Sequence, residues 1–100
     1  MGLLAGPAFL LRRSPAMPKA FHSARYEDLC RLLVAKRKAA RMTQTDVADR
    51  LTRPQSYVAK YEKGERRIDV IEFLEVAAAI GFDPAKLVSE LVKPRRRPPA

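Results

Sequence analysis

Gln55, Ser56, Ala59 and Lys60 fall within a stretch, Thr43–Gly64, that reads as two short helices joined by a tight turn. Together on one outward helix face, these side chains have the chemistry that reads base-pair edges. Glutamine pairs with adenine, lysine with guanine and serine with either, and the alanine methyl can meet the methyl of thymine. A solvated helix face has much the same composition. What separates the two readings is the local framework that positions the four residues.

That framework is legible. Thr43 is placed as an N-cap, and Asp46 at the third helical position gives a weaker form of the capping box. Val47, Ala48 and Leu51 recur at helical spacing. The pattern stops at Thr52-Arg53-Pro54, and a second helix is predicted over about 54–63, because proline is accommodated at a helix start. Val58 and Tyr61 point inward from it, and Gly64 suits the left-handed residue that closes a helix. Ala48 is small where two steeply crossing helices touch, and Val58 fills the space beneath. With that inward face fixed, Gln55, Ser56, Ala59 and Lys60 point away from the core, an arrangement that favours base reading.

Thr43-Gln44, Ala48, Gln55-Ser56-Tyr57-Val58 and Tyr61-Glu62-Lys63-Gly64-Glu65-Arg66-Arg67, taken together, resemble the lambda-repressor/Cro-like helix-turn-helix family, the XRE type of regulator. The resemblance spans roughly residues 26–92. It implies an all-α, compact five-helix lambda-repressor-like domain that binds double-stranded DNA in a sequence-specific way as a transcriptional regulator, acting as a repressor. It also implies that Arg37 pairs with Glu62, partly buried and bidentate, and that Gln44 bonds Gln55. Thr43 and Gln44, at the positive end of their helix, would hold a phosphate. Tyr57, Lys63, Arg66 and Arg67 would be positioning contacts, the last two in a basic loop along the backbone. Two positions depart from the family pattern. Arg41 and Thr52 stand where glycines are usual, and a β-branched residue at positive φ is costly, which allows the turn at Thr52 to differ in detail.

The charge distribution supports a nucleic-acid face on one side. The 100-residue chain carries a formal charge of +9. Residues 26–68 hold eleven Lys/Arg against six Asp/Glu, whereas residues 69–92 hold one Lys against five acids. The remainder sits at the ends. Residues 1–22 are expected to be a flexible N-terminal arm. Leu3–Leu11 is too short to span a bilayer and lacks the basic start of a secretory signal. Met17 is a second candidate start, and the arm's arginines are candidates for phosphate or minor-groove contact. Residues 93–100 read as a disordered basic tail, either solvated or adding non-specific DNA affinity.

The helix-turn-helix domain is thus placed at 23–92. A first helix is expected from Ser23–Tyr26 to about Ala40, with Leu29, Leu33 and Ala40 on one face, flanked by Leu32 and Cys30. Asp69 and Glu72 form a capping box for a helix ending at Gly81. Its apolar stripe (Val70, Ile71, Phe73, Leu74, Ala77, Ala78, Ile80) is wider than one small partner helix requires. Asp83-Pro84 opens a last helix carrying Leu87, Val88, Leu91 and Val92, read as core or as dimer contact.

Enzyme chemistry finds no support. The single histidine, His22, lies in the arm, and the single cysteine, Cys30, lies among apolar residues. Neither nucleophilic triads nor metal-ligand spacings occur, so no cofactor or metal is expected. The expected partners are a pseudo-palindromic operator and a second copy of the chain in a homodimer, in the cytoplasm and without a membrane. The other reading is an interaction module, an adaptor or antitoxin-like partner, that uses the acidic, apolar 69–92 half.

Overall fold

The computed structural model describes residues 23–93. The expectations for the N-terminal arm, the Met17 start and the tail beyond Lys93 lie outside the described residues. Among the described residues five helices follow one another: α1 (Ala24–Ala39), α2 (Gln44–Leu51), α3 (Gln55–Lys63), α4 (Val70–Ile80) and α5 (Pro84–Val92). No strand occurs among the described residues.

Side chains written into the sequence start four of the helices. Ser23 accepts from the Tyr26 N–H. Thr43 with Asp46, and Asp69 with Glu72, form complete reciprocal capping boxes. Asp83 accepts from the first-turn N–H groups of Ala85 and Lys86, after which Pro84 gives up nothing by lacking a donor. The exception is α3. Pro54 is its N-cap rather than its first residue and supplies no side-chain hydrogen bond, so the helix begins one residue later than the sequence suggests.

The helix ends share one device. Past α2 and α3, the first N–H returns three residues back and the second returns five (Thr52 to Asp49 and Arg53 to Ala48, Gly64 to Tyr61 and Glu65 to Lys60), and past α1 the same pair falls one residue later, Arg41 to Lys38 and Met42 to Arg37. This Schellman closure needs a left-handed residue. Gly64 (φ 80) supplies it after α3, and Gly81 (φ 95) ends α4 in the same region. Arg41 (φ 60) and Thr52 (φ 59) adopt the same conformation without being glycine. The turn at Thr52 therefore keeps the left-handed geometry of the glycine form, and the β-branched side chain bears the strain.

The core gathers Leu33 of α1, Val47 and Ala48 of α2, Val58 and Tyr61 of α3, Phe73, Val76 and Ile80 of α4, and Leu87 of α5. Ala48 and Val58 are 1% and 0% exposed, the close contact that their spacing requires. Two apolar expectations are corrected, Ala40 on α1 and the core reading of Val88 and Val92 on α5, and the wide stripe of α4 is divided as its width suggests. Ala40 is exposed, because it lies past the end of α1. Val70, Ile71, Leu74 and Ala78 lie on the solvent side of α4, since its inward side is already filled by Phe73, Val76, Ala77 and Ile80. On α5 only Leu87 is fully buried, and Val88 and Val92 face out.

Candidate nucleic-acid interface

The outward face of α3 is built from the inside. Val58 and Tyr61 anchor the helix. Gln55, Ser56 and Lys60 are then exposed and Ala59 is half-buried beside them. Lys63 is exposed at the end of the helix.

A continuous polar chain runs from α1 to this face. The Arg37 Nε donates to Glu62 Oε2 at 2.7 Å, and its Nη2 donates to Oε1 at 3.1 Å. The remaining Arg37 nitrogen, Nη1, donates to the Met42 carbonyl at 3.0 Å. The Gln44 side-chain amide also donates to Glu62 Oε1, at 2.8 Å, and its carbonyl accepts from Gln55 Nε2 at 2.7 Å. Arg37 and Glu62 side chains are only 12% and 6% exposed. Hydrogen bonding to Glu62 raises the Arg37 pKa above its ordinary range against the opposing effect of burial. Glutamine carries two donors and two lone pairs, so Gln55 keeps one N–H and its carbonyl for an outside partner.

Thr43 is exposed, but its hydroxyl serves the cap. The backbone N–H groups of Gln44 and Thr45 belong to the first turn, where no intrahelical acceptor exists. They are the groups at this end of α2 that suit an anion.

A second cluster lies beside the first. Tyr57, expected as a positioning contact, lies mostly within the fold. It is 8% exposed and meets Tyr61 edge-on, with ring centroids 5.5 Å apart. It shares the inward side of α3 with Val58 and Tyr61, and that side is fully packed. Two guanidiniums lie over its ring, Arg53 at 4.4 Å and Arg66 at 4.8 Å from the centroid. Arg66 is also held by its own chain, through Glu72 Oε1 at 3.1 Å and Oε2 at 3.0 Å. Arg53 approaches the same carboxylate at 3.9 Å. Arg67 lies over the Tyr26 ring at 4.3 Å. The loop cations are thus positioned by aromatic faces and by Glu72. Sequence reasoning assigned Glu72 to the cap alone and gave Arg53 no role. The signal for Arg53 was its four-residue spacing from Tyr57, which becomes a contact once Pro54 starts the helix between them.

No group of acids, cysteines or histidines that could hold a metal occurs among the described residues. No described helix is long and apolar enough to cross a membrane.

A family model described as helix-turn-helix matches residues 33–87, from the middle of α1 into α5. A solved structure of an XRE-family like protein from Pseudomonas syringae pv. tomato str. DC3000 is similar in both sequence and fold. It is 52% identical, with a TM-score of 0.68, over 73% of this chain and 89% of that one. No curated protein matches the chain. The matched span contains the Arg37–Glu62 pair, the α2–turn–α3 unit and the core beneath it, and on these grounds the chain belongs to the XRE family of helix-turn-helix proteins, with the fold of a DNA-binding transcription regulator.

Proposed function

We propose that the protein is a sequence-specific repressor that binds double-stranded DNA with α3 in the major groove. The observation that carries this reading is the chain from Arg37 through Glu62 and Gln44, which ends on an exposed Gln55 with one donor and one acceptor to spare. That is the pair of groups needed for bidentate contact with adenine. Ser56 and Lys60 read neighbouring bases, and Ala59 packs on a thymine methyl. Thr43, Gln44, Lys63 and Arg67 hold phosphates and fix the register. Arg66 joins them from its place on Glu72, and Tyr57 contributes by supporting the arginines. So few base contacts call for two copies, a homodimer on a pseudo-palindromic operator with half-sites roughly 34 Å apart. Such a protein works in the cytoplasm, where the DNA is.

The test is fluorescence anisotropy with the DNA upstream of the protein's own coding sequence, against scrambled DNA, across a salt series. Discrimination of about 10³ at near-physiological salt is expected, with a specific Kd on the order of 10⁻⁸ M. Gln55→Ala and Lys60→Ala should abolish the discrimination and leave the melting temperature unchanged. Equal, salt-sensitive binding to both DNAs, together with a random-sequence selection that enriches nothing, would exclude the repressor reading. The exposed Val70, Ile71, Leu74, Val88 and Val92 favour a second reading, a protein-interaction module using the 69–92 half. In that case those substitutions do little, and changes on α4 and α5 matter more.

A further inference from the structure

Gln55 and Lys60 stand at the two edges of the outward face of α3, about 140° apart around the helix. The Gln55 edge is joined through Gln44 to the start of α2. Beyond the other edge, about 60° past Lys60, comes Tyr57. Its ring carries two guanidiniums, Arg53 at 4.4 Å and Arg66 at 4.8 Å from the centroid. A helix seated in a major groove has a phosphate backbone on either side of it. The start of α2 serves one side, and the cations on Tyr57 stand toward the other.

The two arginines are not equivalent. Arg66 is engaged within the chain. Its Nη1 and Nη2 donate to Glu72 at 3.1 and 3.0 Å, and Nη1 also donates to the Arg67 carbonyl at 2.9 Å. Arg53 approaches that same carboxylate only to 3.9 Å, beyond hydrogen-bond reach. Stacking occupies the face of a guanidinium and leaves the N–H groups along its edge to donate in plane. The Arg53 side chain is 37% exposed. A cation already held on a ring loses less freedom when an anion fixes it.

We infer that Arg53 is a DNA backbone contact: from its place on Tyr57 it donates to a phosphate across the major groove from the one held at the start of α2. This rests on the DNA-binding reading and adds to it a contact at the turn, which the polar chain from Arg37 does not include.

The test is fluorescence anisotropy with the full chain across a salt series, on the DNA upstream of its own coding sequence and on scrambled DNA. The parent is compared with Arg53→Gln and Arg53→Lys, each with a thermal melt. A phosphate contact carries no sequence information. Arg53→Gln should therefore weaken binding to both DNAs by the same factor and keep the ratio between them. It should also make log K less steep in log[salt] by about 0.9 for each bound copy. Arg53→Lys keeps the charge and should keep the slope. Parental slopes for Arg53→Gln on both DNAs, whatever its melting temperature, would overturn the inference. So would a loss confined to the upstream DNA, which would make Arg53 a base reader. A parent that binds both DNAs alike counts against the sequence-specific reading alone, and the Arg53→Gln slope still decides the contact. A parent that binds neither DNA removes both.

Discussion

Arg37 faces Glu62 through two parallel hydrogen bonds, Nε to Oε2 at 2.7 Å and Nη2 to Oε1 at 3.1 Å, across 25 residues of sequence. The pair ties α1 to the end of α3 and so sets the angle at which the outward face of α3 is presented. Both side chains are largely buried, so removing one partner leaves a charge without its counterion in a site with little water. Arg37→Ala should cost about 3 kcal/mol, the usual scale for a broken buried pair, measured by urea denaturation. Arg37→Lys should recover little of it, because an ammonium cannot reproduce the planar fork or reach Met42 as well. A parent-like midpoint for Arg37→Ala would remove the pair from the account of stability.

Gln44 separates stability from recognition. Its amide lies between Glu62 and Gln55 and orders the latter. Gln44→Ala leaves the Arg37–Glu62 pair in place, so the melting temperature should fall only slightly. Gln55 then has to be immobilised on binding, at about 0.5–1.5 kcal/mol. Specific affinity should therefore drop by up to roughly tenfold, with binding to scrambled DNA unchanged. Equal losses on both DNAs would mean that Gln44 acts through phosphate alone.

Much of this was legible in the sequence, for local reasons. Caps are read from single residues and their third neighbours, so Ser23, Thr43, Asp69 and Asp83 announced four helix starts. The contact of Ala48 with Val58 followed from spacing. What the sequence concealed depends on which side of a helix has spare room. Tyr57 has the composition of a polar aromatic at the surface, but Tyr61, Arg53 and Arg66 pack against its ring. Val88 and Val92 share the apolar character of Leu87, yet the core is already filled when α5 reaches it. Glu72 looked like a capping residue because the cap is local. Its grip on Arg66 and approach to Arg53 involve the loop and the turn before α3, which no single window of sequence brings together.

Thr52 carries a cost that the rest of the turn overrides. At φ 59 and ψ 44 its Cβ crowds the following carbonyl, a strain of roughly 1–2 kcal/mol. Glycine removes the strain and returns part of the gain through its greater freedom when unfolded. Thr52→Gly should stabilise by about 1 kcal/mol net of these opposing effects, and Thr52→Val should gain nothing, since it keeps the branch. Thermal melts of the two variants decide it. A destabilised Thr52→Gly would show that the threonine side chain contributes to the turn.

The titrating groups set stability against pH in opposite directions at the two ends. Hydrogen bonds from Arg66, and then from the Asp69 N–H, hold the Glu72 carboxyl below its ordinary 4.5. The Thr43 N–H likewise holds Asp46 below 3.8. Here the unfolded chain binds protons more readily than the fold does. The contribution is present above the ordinary carboxylate values and is lost as pH falls through them toward the lowered ones. Burial acts the other way on Cys30, raised above 9.0, and on Tyr61, raised well above 10.0. The fold keeps protons that the unfolded chain releases, so this contribution is complete below pH 9 and is lost as pH climbs past the ordinary thiol and phenol values. Urea midpoints should accordingly be level near neutrality and fall on both sides. Glu72→Gln should blunt the acid side. Tyr61→Phe should blunt the alkaline side, and at neutral pH it should stabilise by about 1 kcal/mol, because the buried Tyr61 hydroxyl has no hydrogen-bond partner among the described residues and a polar group in that state is costly to desolvate. An alkaline side unchanged in Tyr61→Phe would transfer that limb to Cys30, Tyr26 and Tyr57, whose protons burial also holds, and Cys30→Ala would then separate the thiol from the two phenols.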